Sequence, residues 1–309
     1  MSATTWSPAD IPDLAGRRAL VTGVTSGLGE SVALELARAG AAVVLAARSQ
    51  DKLAATEADI RAQLPDATLE RMVVDLADLS SVRRAAAAVD GPLHLLVNNA
   101  GVMATPYHRT VDGFELQLAT NHLGPFALTG LLLPHLIASG GARVVNTASL
   151  AHRLAPRAPL GDPRKETRRY QRWIAYAQSK LADLLFTFEL DRRLRDKDLP
   201  VTALAAHPGY AATGLIRTGM TTGRSGPAPI TAIMVAATRL LGQPASMGAW
   251  PTLMAATADL PGSTYVGPGG PAEMRGTPRI VAARRLAHDR DAQRRLWELS
   301  EDATGVRYP

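Results

Sequence analysis

Residues 18–30 read RALVTGVTSGLGE. Arg18 to Gly23 is a short apolar run of strand character, whereas Glu30 to Ala39 repeats its apolar residues at the 3.6-residue spacing of a helix. Gly23, Gly27 and Gly29 therefore stand at a strand-to-helix turn. Glycines there can take positive φ, admit a phosphate to the backbone, or bring helix and strand close together. The helix start beyond them offers unpaired N–H groups and a positive dipole end to an anion. The order is not GxGxxG, and a glycine-rich turn alone serves structure as readily as a ligand, so the rest of the chain must decide.

The same alternation continues outward. Apolar runs predict strands over Ala19–Thr22, Ala42–Ala46, Arg71–Val74, Leu93–Val97, Arg143–Asn146 and Val201–Ala205. Helical spacing predicts Glu30–Ala39, Asp51–Leu64, Ser80–Val89, Val111–Ile137 with a break near Gly124-Pro125, and Tyr176–Arg195. Repeated β-α-β units imply an α/β Rossmann-type fold: a doubly wound parallel sheet of order 3-2-1-4-5-6 with helices on both faces. Beyond it, Thr218–Ala228 reads as a loop, Met247–Ala258 as a helix, Thr264–Gly267 as a seventh strand and Arg279–Ser300 as a terminal helix. With no repeat or linker, residues 1–309 read as one domain, with a substrate-side region at about 214–245.

Composition narrows the function. The 309 residues, 46% hydrophobic and 20% charged, suit a globular core, and no run of about eighteen apolar residues suggests a membrane span. Met1 to Leu14 lacks the layout of a signal peptide, and the absence of cysteine removes disulfides and thiolates, so a cytoplasmic location is expected. Seven histidines show no metal-ligand spacing, so no metal is expected. The net charge of +6 is concentrated at about 152–172, where seven basic residues face only Asp162 and Glu166. That inserted stretch is a solvated loop or a site for an anionic substrate or acidic partner. It lacks the aromatic interleaving of single-strand binders, so no nucleic acid partner is expected.

Ligands of such sheets bind beyond the carboxyl ends of the strands. Arg48 follows the second strand, where a dinucleotide's ribose would lie; a guanidinium there suits a 2′-phosphate and favours NADP(H) over NAD(H), the alternative being an exposed loop arginine. Asp75 after the third strand could accept from an adenine amino group while Leu76 packs on the ring, unless Asp75 is merely solvated beside a capping Asp78. Asn98 to Gly101, NNAG, ends the fourth strand, where an asparagine locks backbone or faces ligand. Ser149 follows the fifth. Tyr176 and Lys180 lie four residues apart, on one helix face and about 5–6 Å apart at Cβ. A free phenol ionises near ~10 and a neighbouring ammonium favours phenolate, which is a use for that spacing.

Jointly, TGVTSGLG, NNAG, Ser149, YAQSK and HPGYAAT stand in the order that resembles the short-chain dehydrogenase/reductase family, classical type. LAAR, DLADLSSV, NHLGPFALT, VVNTASLAHR, AYAQSKLADLLFTFEL and RRLWELSEDATG are most similar to its retinol dehydrogenase-like subgroup. The resemblance implies Tyr176 as acid/base, Lys180 as holder of the nicotinamide ribose, Ser149 as the group orienting the carbonyl, and Asn121 as support of a water chain to Lys180. It implies cofactor contacts from Gly23, Thr25, Ser26, Gly27, Leu28, Gly29, Arg48, Asp75, Leu76, Asn98, Ala100, Gly101, Pro208, Gly209 and Thr213, with Tyr176 and Lys180. It further implies a homodimer or homotetramer through the helices around Asn121 and Tyr176.

Two departures qualify it. Ser149 and Tyr176 are 27 residues apart, about twice the common spacing, which reads as a substrate-side loop whose arginines sit awkwardly with a purely apolar ligand. The hydrophobic N-terminal anchor of many animal retinol dehydrogenases is not expected from Met1 to Leu14. The expectation is an NADP(H)-dependent oxidoreductase moving hydride between nicotinamide and the carbonyl or alcohol of a mostly apolar small molecule, retinoid-, steroid-, lipid- or polyketide-like. The rival from another class is a catalytically silent NADP(H)-sensing regulatory protein.

Overall fold

The computed structural model describes residues 5–165, 169–210 and 243–308. Its core begins as the glycine-rich stretch requires: β1 (Arg18–Thr22) is buried on both faces and passes directly into α1 (Gly27–Arg38). β2 (Ala42–Ala47), α2 (Gln50–Gln63), β3 (Leu69–Val73), α3 (Leu79–Ala87) and β4 (Leu95–Asn98) complete the first half. The side chains of Ser49 and Asp78 cap α2 and α3 by accepting from first-turn amides.

The second half runs through the short α4 (Leu116–Leu118), a π-turn at Ala119–Leu123, α5 (Gly124–Ala138), β5 (Ala142–Thr147), α6 (Arg172–Asp196) and β6 (Val201–Ala206). It closes with α7 (Ala245–Thr257), β7 (Tyr265–Pro268), β8 (Pro278–Ile280) and α8 (Arg290–Thr304). The sheet order is β3-β2-β1-β4-β5-β6-β7-β8. All pairs are parallel except β7 with β8. This is the Rossmann-type doubly wound sheet, and the seventh strand is present.

Two stretches differ from the sequence expectation. The long helix from Val111 begins only at Leu116. Gly113 takes φ +83°, Val111 is exposed, and the Glu115 carboxylate accepts from the Gln117 and Leu118 amides, so the chain turns before it coils. At Gly124 there is no break but a change from π to α winding, where a Cβ would lie 2.2 Å from the Leu76 carbonyl oxygen. The terminal helix expected over Arg279–Ser300 is replaced by β8, a 3₁₀ turn at Arg285–His288 and α8. Asp289 starts α8 by accepting from the Asp291 and Ala292 amides, and Gly305 ends it at φ +66°. The loop expected at Thr218–Ala228 and most of the region 214–245 lie outside the described residues.

Apolar clusters cover both sheet faces. Leu36, Val43, Leu45, Leu53 and Leu253 form one. Leu20, Leu96, Phe126, Leu132, Phe186 and Trp297 form the other. α6 is buried from Ser179 to Asp191, with α8 laid across it. The strand carboxyl ends are thereby held rigidly around one opening.

Candidate active site

The turn after β1 is built by close approach. Gly23 and Gly27 take φ +74° and +63°. A Cβ on Gly23 would lie 2.8 Å from the Ala100 Cα, and one on Gly29 would lie 2.3 Å from the Gly23 carbonyl oxygen and 2.4 Å from Asn99 Nδ2. Only glycine fits either place, because the end of β4 is packed against the turn. Thr22 Oγ1 accepts from the Asn99 and Ala100 amides at 3.0 Å each. Asn99 Nδ2 donates to the Thr22 and Gly23 carbonyls at 2.8 and 3.3 Å.

This turn opens into a cavity of about 1060 Å³ that runs past the ends of β2, β3 and β4 to β5 and α6. Thr25, Ser26, Leu28, Gly29, Arg48, Asp75, Leu76, Ala100, Gly101, Ser149, Tyr176, Lys180, Pro208 and Gly209 all line it. Gly27 shapes the turn without lining the cavity, and Thr213 lies outside the described residues. Asp75 spends one carboxylate oxygen on the Ala77 amide at 2.9 Å.

The Asn98 side chain does not line the cavity. Its amide turns into the core, donating to Thr129 Oγ1 at 3.0 Å and Asn146 Oδ1 at 2.8 Å, so it ties β4 to α5 and β5. Its neighbour Asn99 is the one on the cavity wall. Asn121 is likewise off the wall: it grips Val102 through both backbone groups, at 2.7 and 2.9 Å, and Ser179 Oγ at 2.9 Å. A Cβ on Gly101 would stand 3.1 Å from Asn121 Oδ1 and 3.7 Å from Lys180 Nζ, so that glycine keeps open the gap between them.

The far wall carries three reactive groups. Ser149 Oγ accepts from the Ala151 amide, and its carbonyl accepts from His152 Nδ1 at 2.6 Å. His152 Nε2 in turn accepts from the Arg284 amide, so the segment after β8 steadies the serine. Burial holds His152 below its ordinary range. Tyr176 is 8% exposed. Lys180 Nζ donates to the Thr147 carbonyl at 2.8 Å and to Asp183 Oδ2 at 3.0 Å. Burial works against the Lys180 charge, but Asp183 and Tyr176 outweigh it and hold the ammonium above its usual value.

Lys52 is a site residue the sequence reading missed. It stands on the first turn of α2 and lines the cavity with Arg48, which follows β2; both are exposed. Helical lysines are commonplace, and only the fold of the turn after β2 brings this one beside Arg48. Two arginines of the basic insertion are tied down. Arg153 pairs with Glu273 at 2.8 Å, and Arg164 stacks on Phe114 at 4.5 Å while donating to the Ala303 carbonyl. Among the described residues no His/Cys/Asp/Glu cluster could hold a metal, and no helix is long and apolar enough to cross a membrane.

The cavity suits a nicotinamide dinucleotide. The cradle admits a pyrophosphate to backbone N–H groups at the start of α1. The hydroxyls of Thr120 and Thr147 are buried on the cavity wall without a partner among the described residues, as groups awaiting a polar ligand would be.

Comparison with known proteins agrees. The model described as short chain dehydrogenase matches residues 17–160. Human retinol dehydrogenase 13 is 38% identical, over 98% of this chain and 88% of that protein. Mouse polyprenol dehydrogenase is 39% identical, over 97% and 88%. The crystal structure of an uncharacterized protein from Mycobacterium paratuberculosis superposes with a TM-score of 0.80 at 43% identity, covering 99% of this chain and 100% of that one. Extent and identity together leave one assignment: the chain belongs to the short-chain dehydrogenase/reductase family of oxidoreductases, within its retinol dehydrogenase-like subgroup.

Proposed function

We propose that the protein is an NADP(H)-dependent oxidoreductase interconverting a carbonyl and an alcohol on a mostly apolar small molecule. The observation that carries this reading is the meeting of Ser149, Tyr176 and Lys180 on one wall of the cavity that the glycine turn opens.

The glycine turn would hold the pyrophosphate, Asp75 and Leu76 the adenine, and Lys180 the nicotinamide ribose. Bound there, the cofactor supplies or accepts the hydride. Arg48 and Lys52 support NADP(H): two exposed cations where the adenosine ribose would lie suit a 2′-phosphate and gain little from a bare hydroxyl. Tyr176 gives its phenolic proton to the substrate oxygen in reduction and takes it back in oxidation. The Ser149 hydroxyl donates to the same oxygen and fixes its direction, and such preorganised donors act most strongly where charge develops.

The substrate end of the cavity is lined by Met103, Leu150, Leu154, Trp173 and Met274. Leu154 and Trp173 remain 71% and 40% exposed at its mouth, which supports an apolar substrate body. The names of the retinol and polyprenol dehydrogenases point the same way. A fluorescence titration with NADPH and NADH, followed by a carbonyl screen, tests the reading. Tyr176→Phe should abolish turnover and keep cofactor binding; full turnover by that variant would remove Tyr176 from its role.

A further inference from the structure

α6 carries three buried carboxylates, and they are used differently. Asp191 ties elements together, accepting from the Ala203 amide, Ser263 Oγ and Arg195 Nε. Glu189 takes Arg192 and Arg193. Asp183, 4% exposed, makes its one side-chain hydrogen bond among the described residues with Lys180 Nζ, at 3.0 Å. Among the described residues it joins no second element. A buried carboxylate is costly unless paired, so a carboxylate whose whole pairing is a single lysine has that lysine as its purpose.

We propose that Asp183 is a positioning residue for the reaction: it clamps the Lys180 ammonium against the Thr147 carbonyl and leaves one N–H of Nζ for the cavity. An ammonium has three N–H donors. Two are taken, by Thr147 and Asp183, in directions fixed by β5 and by the helix itself. The inference rests on the oxidoreductase reading, because it gives that third N–H a ribose and Tyr176 to serve.

The clamp has a pH sense. Burial, only partly offset by Lys180, pushes the Asp183 carboxyl up to about 6. The titratable groups about it are Lys180 from its own helix, on which Tyr176 also acts, and Tyr265 from β7, whose buried hydroxyl is held neutral by desolvation; β5 contributes the uncharged Thr147 carbonyl. Above pH 6 the carboxylate is charged and the clamp is closed. As pH falls through 6 the carboxyl takes a proton and its hold on Nζ weakens.

Two readouts test this, one without cofactor. In the ligand-free protein, the NMR signal of the Lys180 ammonium should step with a midpoint near pH 6 in wild type and show no step in Asp183→Asn. In turnover, the wild-type kcat/KM should fall below pH 6, and Asp183→Asn, which cannot ionise, should lose that acid limb while keeping its fold. Asp183→Leu should lose about tenfold or more in kcat at every pH; if it does not fold, the asparagine variant carries the test alone. A Lys180 signal that ignores Asp183→Asn overturns the clamp. A normal Lys180 step with an unaltered acid limb in Asp183→Asn overturns its role in the reaction. Wild type that binds neither NADPH nor NADH sinks the oxidoreductase reading itself, and this inference with it.

Discussion

Thr22 and Asn99 hold each other across the ends of β1 and β4: Thr22 Oγ1 accepts the Asn99 amide at 3.0 Å, and Asn99 Nδ2 returns a bond to the Thr22 carbonyl at 2.8 Å. The reciprocal pair fixes the height of the glycine turn above the sheet. Gly29 must be bare because that same Asn99 Nδ2 lies where its Cβ would go.

Gly29→Ala should therefore damage the cofactor site before it damages the fold. The added methyl meets backbone at 2.3 Å, so the turn must move. Overpacking of this kind costs about 1–3 kcal/mol of stability. NADPH affinity should fall at least about tenfold, about 1.4 kcal/mol. Parallel thermal melts and titrations check it; unchanged affinity would mean that the pyrophosphate does not sit on this turn.

What the sequence made legible follows from what is local. Six strands, the glycine turn and the Tyr176–Lys180 pair are set by periodicity and short spacing. The choice between Asn98 and Asn99 was not legible, because it depends on where the strand ends: Asn98 is still in register with Asn146, so its side chain stays in the core and Asn99 faces the turn. Lys52 and His152 become site residues only through contacts made across the fold. Asp183 is visible three residues beyond Lys180, but its burial, which decides its chemistry, is not. The terminal helix was misplaced because the capping Asp289 sits inside a run of arginines that already looked helical.

Arg48→Ala should weaken NADPH binding selectively. A charge-assisted contact to a phosphate contributes about 1.5–3 kcal/mol, so the loss should be about ten- to hundredfold, with NADH little changed. Arg48 and Lys52 are exposed, so the NADPH preference should also shrink with added salt. Equal losses for both cofactors in a titration series would place Arg48 away from the 2′-position.

Acid should destabilise the fold through two buried histidines. Burial pushes His122 down to about 3 and His207 down to about 4, from an ordinary 6.5. Both are neutral when folded and charge more readily when unfolded. Their contribution is complete above pH 6.5 and is lost as pH falls toward 4 and 3. Asp183 acts the opposite way: raised to about 6 from 3.8, its contribution is complete below 3.8 and is lost as pH rises through 6. Two depressed histidines outweigh one raised carboxyl, so Tm should drop between pH 6.5 and 4, with a shallower drop in His122→Gln. A Tm that rises over that interval would contradict the balance.

The association expected through the helices around Asn121 and Tyr176 meets a face the chain already covers. α8 lies on α6, where Arg193 stacks over the Trp297 ring at 4.4 Å. Beyond it, the Tyr308 hydroxyl donates to the Phe126 carbonyl at 2.6 Å. Its ring lies 4.5 Å from that of Trp297 and 4.9 Å from that of Phe126. Gly130 makes room for this tail, since a Cβ there would stand 2.7 Å from both Tyr308 and Val306. With α6 buried from Ser179 to Asp191 inside one chain, little apolar surface is left there for a partner. Light scattering should give the monomer mass of 32.7 kDa. Trp297→Ala should cost about 3–5 kcal/mol of stability and Tyr308→Phe about 1. A stable dimer whose mass survives dilution would overturn the monomer expectation, and one that Trp297→Ala dissociates would overturn the reading of α8 as a cover that leaves no partner surface there.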